Sequence, residues 1–218
     1  DIATWVDKSG EGNDATSSGG TRPAFANPGA TFVGVTNNVS SGEFFLLSSG
    51  GAAGRTVIAV LENVVQNTSG NVNAFLDGAG QDYAFFRVAG VDYQISFDGA
   101  TNTEGQFTID GATSFEGPGE NVGSPGPFAT DALLYAEYSS LPTDHEALGG
   151  LSTNNGAVDT TPDFRANYTL REIIMYSDTK TSGTGGVDEK EILEGYLAHK
   201  YGIQARLPGG HPFSAAQP

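Results

Sequence analysis

Short apolar runs separated by Gly, Asn, Asp, Ser and Thr dominate this chain. That punctuation predicts many brief strands joined by tight turns. Alternation or β-rich content predicts strands at Phe44–Leu47, Thr56–Glu62, Ala74–Leu76, Tyr83–Val88, Tyr93–Phe97, Gln106–Ile109, Leu133–Tyr138 and Tyr168–Tyr176. In Tyr83–Val88 and Tyr93–Phe97 every second side chain is placed to face a core, and Ala89–Asp92 between them reads as a hairpin loop. Ser114–Thr130 carries Glu116–Gly117–Pro118–Gly119–Glu120 and Ser124–Pro125–Gly126–Pro127, which support neither a helix nor a central strand. A second long loop is expected over Leu141–Pro162.

One segment is helical by pattern. Val187–Tyr201 puts Ile192, Leu193, Tyr196 and Leu197 on one face, with Tyr201 a turn further on. Gly186 is the expected N-cap, Asp188 and Glu189 suit the positive N-terminal end, Lys200 suits the last turn, and Gly202 is placed to end the helix in a left-handed conformation. Many strands followed by one helix predict an all-β sandwich with the helix packed on its edge or flank. The pattern shows no linker and no internal repeat, so residues 1–218 read as a single domain with a C-terminal tail over 203–218.

Composition narrows the function classes. With 26 acidic against 10 basic residues the formal net charge is −16, which repels nucleic acid and anionic membranes. The same acidity suits divalent cations or saline surroundings, and it also serves plain solubility. There is no cysteine, so thiol catalysis, thiolate zinc sites and disulfides are excluded. No apolar run approaches the roughly 20 residues of a membrane-spanning helix, and no basic segment followed by an apolar stretch opens the chain, so a secretion signal is expected to be removed or never present.

Both ends carry motifs. Trp5–Val6–Asp7–Lys8–Ser9–Gly10–Glu11–Gly12–Asn13–Asp14–Ala15 is followed by Arg22–Pro23–Ala24–Phe25. Near the other end stand Arg171–Glu172–Ile173–Ile174–Met175–Tyr176, then Leu193–Glu194–Gly195–Tyr196–Leu197–Ala198–His199–Lys200–Tyr201–Gly202–Ile203, then Leu207–Pro208–Gly209–Gly210–His211–Pro212–Phe213. These stretches resemble the concanavalin A-like (laminin G-like) domains of marine bacterial surface proteins and phage virion proteins. Arg55–Thr56–Val57–Ile58–Ala59–Val60 looks like that family's early core strand, whereas Tyr201 stands where relatives often have Trp. The resemblance implies a jelly-roll β-sandwich of two antiparallel sheets, an extracellular, cell-surface or virion-surface setting, and a carbohydrate or other surface ligand. Relatives usually have a further strand before the Trp-x-Asp-x-Ser-Gly motif. Its absence would leave an open sheet edge, available for self-assembly or for pairing with virion or filament neighbours.

Candidate chemistry is sparse. Asp7, Ser9, Asn13 and Asp14 share one Gly-rich turn, and oxygen ligands in such a turn suit Ca²⁺, which makes Asp7, Asn13 and Asp14 the metal candidates. The same residues cap turns through Asx-type hydrogen bonds without a metal. Trp5 reads as a core anchor rather than a sugar platform; Tyr83, Tyr93, Tyr135 and Tyr138 are better placed for stacking, although alternation turns some inward. His145, His199 and His211 lack zinc-site spacing, and His145, between Asp144 and Glu146, is expected in a solvated loop. There is no Gly-x-Ser-x-Gly elbow and no Glu-x-Asp-x-x-Glu strand of the kind that gives this scaffold's glycoside hydrolases their carboxylate pair. The expected function is therefore a non-catalytic binding or adhesion module; a virion or filament subunit is the alternative, and a polysaccharide-cleaving enzyme the third reading.

Overall fold

The computed structural model describes residues 2–17, 22–25, 30–32, 45–47, 56–65, 72–74, 76–78, 87–89, 92–94, 105–111, 115–116, 131–138, 145–148, 152–153, 157–158, 167–180 and 188–218. The early strands are β1 (Thr4–Trp5), β2 (Ala15–Thr16), β3 (Ala24–Phe25), β4 (Ala30–Phe32), β5 (Phe45–Leu47), β6 (Thr56–Val65), β7 (Val72–Ala74) and β8 (Leu76–Gly78). After them come β9 (Arg87–Ala89), β10 (Asp92–Gln94), β11 (Gly105–Ile109), β12 (Phe115–Glu116), β13 (Ala132–Tyr138), β14 (His145–Leu148), β15 (Ser152–Thr153), β16 (Ala157–Val158) and β17 (Asn167–Tyr176). Helix α1 (Glu189–Tyr201) and a 3-10 turn at Gln204–Arg206 follow. The described residues thus form antiparallel sheets with a single α-helix, an all-β architecture as the pattern predicts.

The largest sheet has seven strands in the order β12-β11-β13-β6-β17-β4-β3, and a five-stranded sheet runs β1-β2-β5-β14-β8. β6 lies at the centre of the seven-stranded sheet because Thr56–Leu61 is an unbroken β-favouring run, the composition of a strand covered on both faces. Register fixes what shares a face. Ile58 lies opposite both Tyr135 and Ile174, Val60 lies opposite Leu133, and Thr108 lies opposite Tyr135. Ile58, Val60, Leu133 and Tyr135 pack with Leu197, Ala198 and Leu207, so α1 and the segment after it cover this face. Val57, Ala59, Leu61 and Leu134, which alternation turns to the other face, are equally buried.

The helix begins two residues later than expected. Asp188 is the N-cap, its backbone N–H donating to Glu191 Oε2 at 3.2 Å, a reciprocal contact that Gly186 has no side chain to promote. Gly202 ends it as predicted, at φ 71°, with the Ile203 N–H donating to the Ala198 carbonyl at 2.8 Å. The apolar reading holds in part: Leu197 is buried, and Leu193 and Tyr201 pack against the core. Ile192 and Tyr196, however, are 41% and 47% exposed, and Lys190, Glu194, Leu197 and Ala198 form the buried stripe, at the i, i+4, i+7, i+8 spacing of one helix face. The face is turned from the expected one because an ion pair occupies part of it.

The strands expected around Phe45, Thr56, Gln106, Leu133 and Tyr168 form, and Asp92 pairs with Ala89 across the predicted hairpin. Ala74–Leu76 divides between β7 and β8, and Tyr83–Phe86 and Ile95–Phe97 lie outside the described residues. The second expected loop is corrected: β14, β15 and β16 fall within Leu141–Pro162, and His145 opens β14 instead of lying in a loop. Of the first loop, only β12 is described, and the remainder to Thr130 lies outside the described residues. Replacing Leu197 with Ala should lower stability by about 2–5 kcal/mol, read as a drop in the urea midpoint at unchanged slope.

Candidate functional site

The densest arrangement of ionisable groups lies where α1 meets the sheet. Glu194 is wholly buried and accepts three side-chain hydrogen bonds. The Thr108 hydroxyl on β11 donates to Oε1 at 2.7 Å, Lys190 Nζ one helical turn earlier donates to Oε2 at 2.8 Å, and His211 Nε2 meets Oε2 at 3.3 Å. Burial opposes the charge on Glu194. The hydrogen bond from His211, the Lys190 ammonium and the Thr108 hydroxyl outweigh it and hold its pKa below the ordinary glutamate value. Lys190 Nζ also stands 5.2 Å from the centre of the Tyr135 ring, a cation–π contact. The Tyr135 hydroxyl continues the network by donating to Glu137 Oε2 at 2.7 Å, and the Lys180 N–H donates to the same oxygen at 2.7 Å. Burial, with Glu137 beside it, pushes the Tyr135 phenol far above its usual range, so it stays a donor.

The tail after the helix closes over this layer as a strap. His211 Nδ1 accepts the Phe213 N–H at 3.2 Å, which assigns the ring hydrogen to Nε2 and makes it the donor to Glu194. The Phe213 ring lies directly on Gly195: a Cβ there would meet Phe213 side-chain carbons at 2.6–2.8 Å. His199 Nε2 bonds the Phe213 carbonyl at 2.9 Å. On the sheet side the strap meets the turn after β11. Asp110 and Gly111 hold φ of 53° and 71°, and a Cβ on Gly111 would meet Pro208, His211 and Glu194 at 3.3–3.5 Å. Asp110 Oδ1 accepts the Leu133 N–H at 3.0 Å and Oδ2 accepts Arg206 Nε at 2.8 Å. Burial nonetheless raises the Asp110 pKa, against the pull of these partners. Glu194, Gly195, His199, His211 and Phe213 of the C-terminal motif therefore all serve one junction.

The metal candidates do lie together. Asp7 Oδ1 accepts the Ser9 N–H at 2.8 Å, and Oδ2 accepts the Ser9 hydroxyl at 2.7 Å and the Asn13 N–H at 3.0 Å. Asp14 Oδ1 accepts the Asp7 N–H at 2.8 Å. The hydrogen bond from the Ser9 hydroxyl, then those from the Ser9 and Asn13 backbone, lower the Asp7 pKa. A cation here would have to displace donors already in place, so turn capping has the better geometric support.

Trp5 lies in β1 and is partly buried, while Tyr135 is fully buried and offers no stacking face. Tyr93 falls in β10, Tyr138 ends β13, and Tyr83 lies outside the described residues. Sequence reasoning missed Lys190, Thr108 and Asp110; the i, i+4 spacing of Lys190 and Glu194 was the one signal available for the first. A shallow hollow of about 130 Å³ on the outer side of α1 is lined by Tyr196, His199, Lys200, Gln217 and Pro218. Comparison with known proteins adds nothing to this geometry. No family model, curated protein or solved structure matches the chain.

Changing Glu194 to Ala would leave the Lys190 ammonium buried without its partner and should destabilise by about 3–5 kcal/mol, with Glu194→Gln costing less. Its depressed folded pKa also fixes a sign. The contribution of ionised Glu194 is complete above the unfolded carboxylate range and is lost as pH falls from that range through the lower folded value. Asp110, with its raised pKa, acts in the opposite direction. Urea midpoints across that range should fall less steeply for Glu194→Gln than for the wild type.

Proposed function

We infer that this chain is a non-catalytic binding or adhesion module, built as a concanavalin A-like jelly-roll sandwich and displayed on a cell or virion surface. Its ligand would be a glycan or another surface group, met at one sandwich edge by the segment around Ser114–Thr130 and by Leu141–Pro162, the stretch that carries β14, β15 and β16. The observation that carries this reading is the fate of the most distinctive motif. Glu194, His199 and His211 direct their polar atoms at the chain's own tail and sheet, and the Glu194 carboxylate is closed to water. Residues so occupied support a role in fixing a scaffold, with recognition left to loops.

A polysaccharide-cleaving enzyme has weaker support. Its two carboxylates would flank an open cleft, about 5 Å apart in a retaining enzyme, whereas Glu137 and Glu194 are buried and engaged by donors. A structural subunit is the second reading. Among the described residues β1 ends the five-stranded sheet and β3 ends the seven-stranded sheet, and Val6 next to β1 and Phe25 in β3 are 51% and 69% exposed. A short edge strand beside exposed apolar side chains suits pairing with a neighbour.

Light scattering after size exclusion, with Ca²⁺ and then with a chelator, separates the two. The binding module should be a monomer in both buffers and capture members of a glycan array. A chelator-resistant oligomer that captures none would overturn the binding reading in favour of the subunit, and dissociation on chelation would locate a metal at the contact. For a captured glycan, protection from deuterium exchange should fall on the two loop segments; protection confined to the α1 flank would sink the loop placement.

A further inference from the structure

We propose that the strap formed by residues 207–214 is a latch that opens as one unit while the sheet and α1 remain folded. The basis is how it is attached. Its backbone hydrogen bonds are local: Leu207 N–H to the Gln204 carbonyl, His211 N–H to Pro208 and Ser214 N–H to His211, at 3.2, 2.8 and 3.1 Å. The contacts that tie it to the rest of the molecule are made by side chains. Leu207 enters the core, Pro208 and His211 meet the Gly111 turn, His211 meets Glu194, and Phe213 rests on Gly195 with its carbonyl on His199. Release of the strap therefore breaks no strand ladder among the described residues.

The charge beneath it offsets part of the cost of opening. A buried ion pair exposed by losing a partner is costly, but here both partners stay on the helix. Lys190 and Glu194 are four residues apart on α1 and paired at 2.8 Å, so lifting the strap does not carry either partner away from the other. Lifting the strap returns that pair to water and recovers hydration that burial had removed, which offsets part of the lost Phe213 and His211 contacts. Pro208 and Pro212 fix two of the strap's φ angles in the open form as in the closed one. Gly209 and Gly210 have open space where a Cβ would stand, so the crest of the strap already faces outward.

Native-state hydrogen exchange on the intact chain tests this directly. The amides of Leu207, His211, Phe213 and Ser214 should exchange with one common opening, at least about tenfold faster than those of Val57–Leu61 in β6. Exchange of the strap amides at the rate of the β6 amides, or at four unrelated rates, would overturn the proposal. Gly195→Ala gives a second reading, because its methyl would collide with Phe213. The variant should keep β6 protection and the far-ultraviolet spectrum while the strap amides lose protection and the strap becomes protease-sensitive. Parallel loss of strap and β6 protection in that variant would show that the strap is inseparable from the fold.

Discussion

The fold depends on a carboxylate kept charged where no water reaches it. Glu194 sits between helix and sheet, and a lone ion there would cost several kcal/mol in lost hydration. Three elements answer that cost: α1 with Lys190, β11 with Thr108 and the strap with His211. Each donor comes from a different direction, so satisfying the carboxylate fixes the rotation of the helix, its height along the sheet and the path of the tail. Apolar packing alone would fix these less sharply, because Leu197, Ala198 and Ile58 tolerate sliding in a way that directed hydrogen bonds do not.

The glycines of this junction follow from the same crowding. Phe213 reaches its place because Gly195 offers no side chain, and the Asp110–Gly111 turn lets β11 end within reach of Pro208 and His211. Arg206 anchors the start of the tail, bonding Asp110 through Nε at 2.8 Å and the Asp131 carbonyl through Nη1 at 2.9 Å. The C-terminal motif thus has a physical meaning independent of any ligand: it encodes a joint.

How much of this the sequence revealed depended on whether the signal was local. Thr56–Leu61 and Leu133–Tyr138 announce central strands because a short run of apolar, β-branched or aromatic residues is read within a few positions, and Gly202 announces a helix end for the same reason. The buried face of α1 was misread because a hydrophobicity pattern scores Lys190 and Glu194 as outward, and only their distant partners turn them inward. β14 was missed because His145–Glu146–Ala147–Leu148 has neither alternation nor β-branching; pairing with β5 and β8 makes it a strand. The Asp7 turn was legible as chemistry but not as a choice between cation and capping, since both use the same oxygens.

Thr108 and Glu194 are 86 residues apart in the chain. On the ribosome β11 therefore emerges long before the carboxylate that completes it, and His211 follows later still. In that interval Thr108, Tyr135 and Ile58 line a sheet face without its cover, a surface inviting to chaperones and to other nascent copies. The long closure this layer requires favours slow folding over fast. A sheet whose polar keystone is made 86 residues after it waits through that interval with its apolar face uncovered.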